Sequence, residues 1–148
     1  RAFFAVGFRN DAGGWELRSP QFKGSSAPKS ITTFDRHGDT ALLFEGFFDL
    51  LSYLTLQHEA RPTADTAVLN SVVNLSRALP FLARHASIHA FLDNDEAGRL
   101  TLERLRSALP GATVIDRAEN YRAHKDLNES LQPSAKVSRT PRRRGRKL

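Results

Sequence analysis

Acidic residues follow two short apolar runs of this sequence. Glu45 and Asp49 lie in the stretch FEGFFD, and Asp93 and Asp95 lie in LDNDEAG. Because alternate residues of an extended strand end project to the same side, Asp93 and Asp95 can bind one divalent cation together or one cation each. Carboxylate oxygens are hard ligands, which favours Mg²⁺ or Mn²⁺ over zinc. The simpler structural alternative is an Asp N-cap followed by acids that stabilise a helix start.

A third polar cluster lies near the end of the chain, in the stretch HKDLNESL. It contains Lys125, Asp126, Asn128 and Glu129. Taken alone, this composition is typical of a capped helix start that faces solvent, because Asp is a preferred N-cap. Whether the cluster is functional therefore depends on whether the fold brings it close to the other acids.

The elements that must position these residues alternate from residue 40 onward. Predicted strands cover TALLFEG, TAVLN, SIHAFLD and ATVID, and apolar residues at helical spacing mark helices in FFDLLSYLTLQHE, NLSRALPFLARH, EAGRLTLERLRSAL and KDLNESLQ. This alternation predicts an α/β fold with a parallel sheet of about four strands flanked by helices. Ligands of such sheets bind outside the carboxyl ends of the strands. Glu45, Asp93 and the pair Asn70-Ser71 end three of these strands, so we expect them at one edge.

The rest of the chain divides into two further segments. Residues 1–36 contain two apolar runs around the turn NDAGG and predict a β-hairpin followed by a polar loop. Residues 37–132 hold the α/β pattern. Residues 133–148 form a basic tail, and from residue 136 onward it has seven basic residues and no acidic one. We expect this tail to be disordered, serving either as a non-specific phosphate contact or as a solvated linker.

Composition excludes several classes of protein. No apolar run approaches the roughly 20 residues that span a bilayer, and cysteine is absent, so neither a disulfide framework nor a thiolate zinc site is expected. These features predict a cytoplasmic protein that does not act in a membrane. The sequence starts with Arg and contains no Met, which predicts that it is part of a longer protein.

The combination of motifs resembles the Toprim domain, the metal-binding catalytic fold of bacterial-type DNA primases, type IA and type II topoisomerases and some nucleases. The resemblance covers residues 40 to 132. EGFFD is similar to the first motif of the primase branch and DNDEAG to the second, while KDLNESL is similar to a third acidic motif of Toprim-like proteins from plasmids and other mobile elements. The upstream stretch GFRNDAGGWELRSPQFKGSSAPKSIT is similar to the segment that precedes Toprim in those primase-like proteins.

This resemblance implies an enzyme, a DNA primase-like nucleotidyltransferase that makes short primers on single-stranded DNA. The catalytic residues that it implies are Glu45, Asp49, Asp93, Asp95, Lys125 and Asp126. Among them, Glu45, Asp93 and Asp95 would hold Mg²⁺ or Mn²⁺. The implied contacts to nucleotide phosphates or template are Arg18, Lys23 and Lys29, with Asn70 and Ser71 at the same sheet edge. The implied partners are a single-stranded DNA template and nucleoside triphosphates, with a replicative helicase as a further candidate.

Two other functions stay open. The same acids support phosphodiester cleavage in this fold, so a nuclease or strand-cleaving Toprim protein is one alternative. A complete topoisomerase is disfavoured because it needs a tyrosine from a separate domain, and only Tyr53 and Tyr121 are present. The other alternative is a non-catalytic DNA-binding module of a mobile element. It stays open because cellular primases carry acids at Asp-x-Asp spacing in the third motif, whereas this chain has Asn128 two residues after Asp126.

Overall fold

A computed structural model describes residues 4–132, and the basic tail predicted for 133–148 lies outside them. The first part is a small antiparallel sheet with the strand order β1-β2-β3. Its strands are β1 (Val6–Arg9), β2 (Trp15–Ser19) and β3 (Phe22–Ser26). The predicted hairpin corresponds to β1 and β2. The sequence did not predict β3, because its residues are exposed or half-buried and lack an apolar alternation.

The second part is a five-stranded sheet with the order β4-β6-β5-β7-β8. Its strands are β4 (Thr32–Phe34), β5 (Thr40–Phe44), β6 (Asp65–Val68), β7 (Ser87–Phe91) and β8 (Thr113–Asp116). The four predicted strands form its parallel part, which confirms the α/β prediction. The edge strand β4 runs antiparallel to β6. Its residues fall within the segment that the sequence assigns to the hairpin and loop, yet they pair with the larger sheet.

Helices cover both faces of the larger sheet. They are α1 (Phe47–Leu56), α2 (Leu75–Leu82), α3 (Glu96–Ala108) and α4 (Leu127–Leu131), with 3₁₀ turns at Val72–Asn74 and Ala118–Tyr121. One core packs strand residues such as Leu43 and Ile88 with the inward side chains of α2 and α3. The other packs Phe44 and Phe91 with α1 and α4. Alternating strand residues supply the two cores, as expected for a sheet buried on both faces.

Helix α2 runs through Pro80 without a break. The sequence predicted that Pro80 would kink or split a longer helix, and the structure instead shows one short helix that ends two residues later, at Leu82. A proline removes one backbone donor, and a single missing bond is tolerated where the inward side chains are well buried. Leu75, Ala78 and Leu82 provide that burial.

Aromatic stacking and hydrogen bonds join the small sheet to the large one. The ring of Phe8 on β1 stacks on that of Phe47 on α1, with centroids 5.0 Å apart and planes inclined by 9°. The Thr32 hydroxyl donates to the Arg9 carbonyl at 2.9 Å. The carboxylate of Asp11 accepts from the amide and the hydroxyl of Thr33 at 2.9 and 2.7 Å. The small sheet is thereby held at one position relative to the carboxyl edge of the large one.

No helix within residues 4–132 is long and apolar enough to cross a membrane.

Candidate functional site

An open cleft of about 610 Å³ lies where the small sheet meets the carboxyl edge of the large sheet. Its lining includes Arg18, Lys23, Lys29, Glu45, Asp49, Asn70, Ser71, Asp93, Lys125 and Asp126. These are all the site residues predicted from the sequence except Asp95. Residues that the prediction missed, among them Glu16, Phe48, Val73 and Asn74, line the same cleft. The prediction that the strand ends would meet at one edge is therefore confirmed.

Glu45 and Asp93 form the centre of the acidic wall. Strands β5 and β7 are parallel neighbours, with Phe44 opposite Phe91, so the residues that follow them come together. The amide of Asp93 donates to Oε2 of Glu45 at 2.8 Å. Burial raises the pKa of Glu45. Burial, followed by the nearby charge of Glu45, raises the pKa of Asp93 to about 7. Two carboxylates share this space, and within residues 4–132 neither of them forms a salt bridge.

Asp49 ties the first acidic motif to the third. Its side chain is 6% exposed, and Oδ1 accepts from the amide of Asn128 at 3.1 Å. Burial raises the pKa of Asp49 to about 7, and the charge of Asp126 adds to the effect. The Ser52 hydroxyl donates to the Asn128 side chain at 3.1 Å. Asn128, where cellular primases carry a carboxylate, therefore contributes to docking α4 on α1.

Asp95 stands apart from the cleft lining. It is the N-cap of α3, and its Oδ1 accepts from the amide of Gly98 at 2.7 Å. The structural alternative stated for this motif, an Asp N-cap, describes the position of Asp95 well. Asp126 caps α4 in the same way by accepting from the amide of Glu129 at 2.7 Å, but it also lines the cleft.

The acidic wall suits a hard divalent cation in its chemistry. Its donors are oxygens only, and burial together with the charges of neighbouring acids raises the pKa values of Glu45 and Asp93. A cation is the usual compensation for such a cluster. Within residues 4–132, no three acidic or histidine side chains are close enough to hold a metal ion. A metal-ligand role for Glu45, Asp93 and Asp95 stays a prediction.

Arg18 on β2 belongs to the basic wall of the cleft, together with Lys23 and Lys29. Its guanidinium donates to the carbonyls of Leu17 and Gly24 at 2.9 and 3.3 Å and lies 5.6 Å from the ring centroid of Phe47. The buried carboxylate of Glu16 lies 3.7 Å from it. Arg18 faces Lys23 across the β2–β3 pair. The strand register thus delivers two cations to the cleft, with Lys29 beyond them.

Asn70 holds the turn that follows β6. It adopts a left-handed conformation with φ 64°, and its side-chain amide donates to the Ser30 carbonyl at 3.0 Å and to the Thr32 hydroxyl at 3.2 Å. Its side-chain oxygen is buried and has no hydrogen-bond partner among the described residues. Asn74 donates from its side chain to the carbonyl of Leu69 at 3.0 Å. The turn between the two asparagines is therefore fixed at both ends.

Asn94 joins the second acidic motif to the third, a role that the sequence did not predict. Its backbone amide donates to the Lys125 carbonyl at 2.6 Å. Its side-chain amide lies 3.1, 3.0 and 3.0 Å from the carbonyls of Ala118, Tyr121 and His124. The sequence did contain a signal for this role. Asn94 lies between Asp93 and Asp95, and neighbouring residues of an extended segment point to opposite sides, so its side chain is directed away from theirs. Asn94 thereby positions the segment that carries Lys125.

The fold and the site define the class of protein: an α/β domain with a carboxylate-lined cleft at the carboxyl edge of its parallel sheet. The Toprim-like family matches residues 42–131, more than half of the chain, and the protein belongs to this family. Residues 1–27 match a domain of unknown function (DUF8464). No curated protein matches the chain by sequence.

Two solved structures from bacteriophage T7 share the fold. The primase fragment of the T7 primase-helicase protein has a TM-score of 0.62 and 21% identity over 84% of this chain and 55% of that one. The primase domains of gp4 subunits, bound to an RNA/DNA hybrid and dTTP with the T7 lagging-strand DNA polymerase, belong to the second structure. It matches with a TM-score of 0.56 and 21% identity over 76% of this chain and 63% of that one. This chain thus spans less than two thirds of either.

Proposed function

We propose that this protein carries the catalytic site of a primase-like nucleotidyltransferase that joins nucleotides on a single-stranded DNA template. One observation carries the proposal: a single cleft has an acidic wall centred on Glu45 and Asp93 and a basic wall of Arg18, Lys23 and Lys29. A nucleotide needs both walls, because its phosphates require cations and the transfer chemistry requires carboxylate-bound metal. Membership of the Toprim-like family and the likeness to the T7 primase fold support a role in DNA replication.

Glu45 and Asp93 would hold Mg²⁺ or Mn²⁺, with Asp95 as a further ligand. When bound, the metal supplies a lowered pKa at the attacking 3′-hydroxyl and charge stabilisation at the departing pyrophosphate. The hydrogen bond from the amide of Asp93 keeps the Glu45 carboxylate turned toward Asp93. Asp49 supports the site from behind by holding α4 against α1.

The basic residues bind phosphate in two different ways. Arg18 is immobilised by carbonyls and the Phe47 ring, so little side-chain entropy is lost when it binds a phosphate oxygen. The exposed side chains of Lys23 and Lys29 are suited to looser contacts along a template strand. Lys125, held next to Asp126, offsets charge that develops on the transferred phosphoryl group.

Single-stranded DNA and nucleoside triphosphates are the substrates of this proposal, and a replicative helicase is a candidate partner. The T7 protein with the matching fold is a primase-helicase, which supports the last point by analogy only. The KDLNESL motif, which resembles the third motif of Toprim-like proteins from plasmids and other mobile elements, supports the proposal that this protein comes from such an element.

Primer synthesis tests this proposal. The purified protein is incubated with single-stranded template, labelled nucleotides and Mg²⁺ or Mn²⁺, and the products are separated by size. We expect the wild type to make short oligonucleotides and Asp93→Asn to make none. Glu103 is an exposed acid on α3, so Glu103→Gln should still make them. Cleaved template instead would identify a nuclease. Binding of DNA without synthesis or cleavage would identify a non-catalytic module.

A further inference from the structure

Besides the buried Phe47, three apolar residues line the cleft, one in the segment that follows β5 and two in the turn that follows β6. They are Phe48, Val72 and Val73, referred to below as the apolar shelf. Val73 is 78% exposed. Phe48 is half-buried, and its ring centroid lies 4.7 Å from that of Phe47 at an interplanar angle of 57°.

The exposed valine sits on a rigid turn. Asn70 fixes the start of the turn through Ser30 and Thr32. Asn74 fixes its end through the carbonyl of Leu69, and the Asn74 amide closes the turn on the carbonyl of Ser71 at 3.0 Å. The neighbouring side chains Asn74 and Leu75 are buried while Val73 faces outward. The backbone therefore presents a preorganised apolar surface, which lowers the entropy cost of binding a ligand there.

The sheet order sets the shelf beside both charged walls. Val72 and Val73 follow β6, which lies between β5 and β4, whereas Asp93 follows β7 on the other side of β5. Phe48 is the direct neighbour of Asp49 in the first turn of α1. A ligand that places its phosphates between the acidic and basic walls therefore lies in the same cleft as the apolar shelf.

We propose that the apolar shelf is a nucleobase subsite, in which a base rests against Phe48 and Val73 while the attached phosphates contact the charged walls. This inference rests on the nucleotide-binding function proposed above. A base is the flat, apolar-faced part of a nucleotide, and stacking on aromatic side chains is tolerant of base identity. The subsite is therefore expected to favour the presence of a base without selecting among the four.

Binding of probes with and without a base tests the subsite. The probes are ATP against inorganic tripolyphosphate, and an oligonucleotide against a fully abasic strand of equal length, each titrated in Mg²⁺ by calorimetry. Wild-type protein is expected to bind the base-containing probe of at least one pair more tightly. Val73→Ser is expected to lower the affinity for that probe roughly fivefold, because the base loses its apolar contact. The affinity for the base-free partner should stay unchanged.

Three further variants sharpen the comparison. Val73→Trp should strengthen binding of the base-containing probe by extending the stacking surface. Phe48→Leu keeps an apolar side chain against Phe47 but removes the aromatic ring, so it should lower the affinity for the same probe. Leu56→Ser removes another exposed apolar residue, 49% exposed and outside the cleft, and should change nothing. An effect limited to ATP identifies the incoming nucleotide as the source of the base, and one limited to the oligonucleotide identifies the template.

The inference is overturned if wild-type protein binds base-containing and base-free probes with equal affinity. It is also overturned if Val73→Ser leaves the difference in affinity intact, or lowers the affinity for both probes equally. Failure of the proposed catalytic function is a separate result. It would show as no primer synthesis by the wild type, and the comparison of probes would still report on the shelf.

Discussion

The backbone amide of Asp93 donates to Oε2 of Glu45 at 2.8 Å, so a residue after β7 is bonded directly to a side chain after β5. This bond brings two acids into one half-buried space and leaves no cation beside them among the described residues. Glu45→Gln keeps the acceptor oxygen and removes the charge. We expect Mn²⁺ affinity to fall at least tenfold, measured by titration with electron paramagnetic resonance, while Glu103→Gln leaves it unchanged. Equal affinities in Glu45→Gln and wild type would exclude Glu45 as a ligand.

The metal-free protein is expected to lose stability as the pH rises from about 4 to above 7. The pKa of Asp49 is raised to about 7, mainly by burial, against about 3.9 for an unfolded Asp. The folded state then binds more protons in this range, so the free energy of unfolding falls with rising pH. This contribution is fully present below pH 4 and is lost through pH 7. Thermal unfolding of wild type and Asp49→Asn across this range measures it, and the variant should show a shallower decline.

Mg²⁺ should offset part of that decline in the wild type. The raised pKa values of Glu45 and Asp93 have the same sign as that of Asp49, and a bound cation favours the charged forms. At pH 8 the melting temperature is expected to rise with Mg²⁺ concentration. An identical rise in Asp93→Asn would contradict binding at this site.

Gly98 is expected to tolerate no side chain. An added Cβ would lie 2.0 Å from the carbonyl oxygen of Asp93, which is backbone and cannot move aside cheaply. Gly98→Ala should therefore lower the free energy of unfolding by about 2 kcal/mol and displace Asp93. Gly111→Ala is the matched control, because nothing lies within 4 Å of its added Cβ. Urea unfolding compares them, and similar losses in both would contradict the steric argument.

Asn94→Ala should detach the third motif from the second. The change leaves the carbonyls of Ala118, Tyr121 and His124 without the donor they share, which costs roughly 1–3 kcal/mol when such groups are buried. Amide hydrogen exchange should accelerate across residues 118–128 and remain slow in β5 and β7. Asn120→Ala, an exposed asparagine of the same segment, is the control. Unchanged exchange in Asn94→Ala would show that other contacts hold the segment.

The parallel sheet and its functional edge were predictable because they depend on local patterns. Apolar runs that alternate with segments of helical spacing indicated β5 to β8. The rule that ligands bind at the carboxyl ends of parallel strands then predicted that Glu45, Asn70 and Asp93 lie at one edge of the sheet. Strands β3 and β4 were not predictable from the sequence, because β3 lacks an apolar alternation and β4 is short and pairs with a strand that is distant in the chain. Thr32 pairs with Val68, for example, across 36 positions.

By itself the sequence determined which residues are candidates for the site: carboxylates after two strands, a third polar cluster and basic residues upstream. Residue type and spacing are local properties, so they could be interpreted without a fold. Only the tertiary structure decided which partners each acid contacts. Asp95 caps α3, Asp49 holds α4 through the amide of Asn128, and Glu45 meets Asp93. Those differences arise from burial and from hydrogen bonds between residues far apart in the chain, which no sequence pattern records.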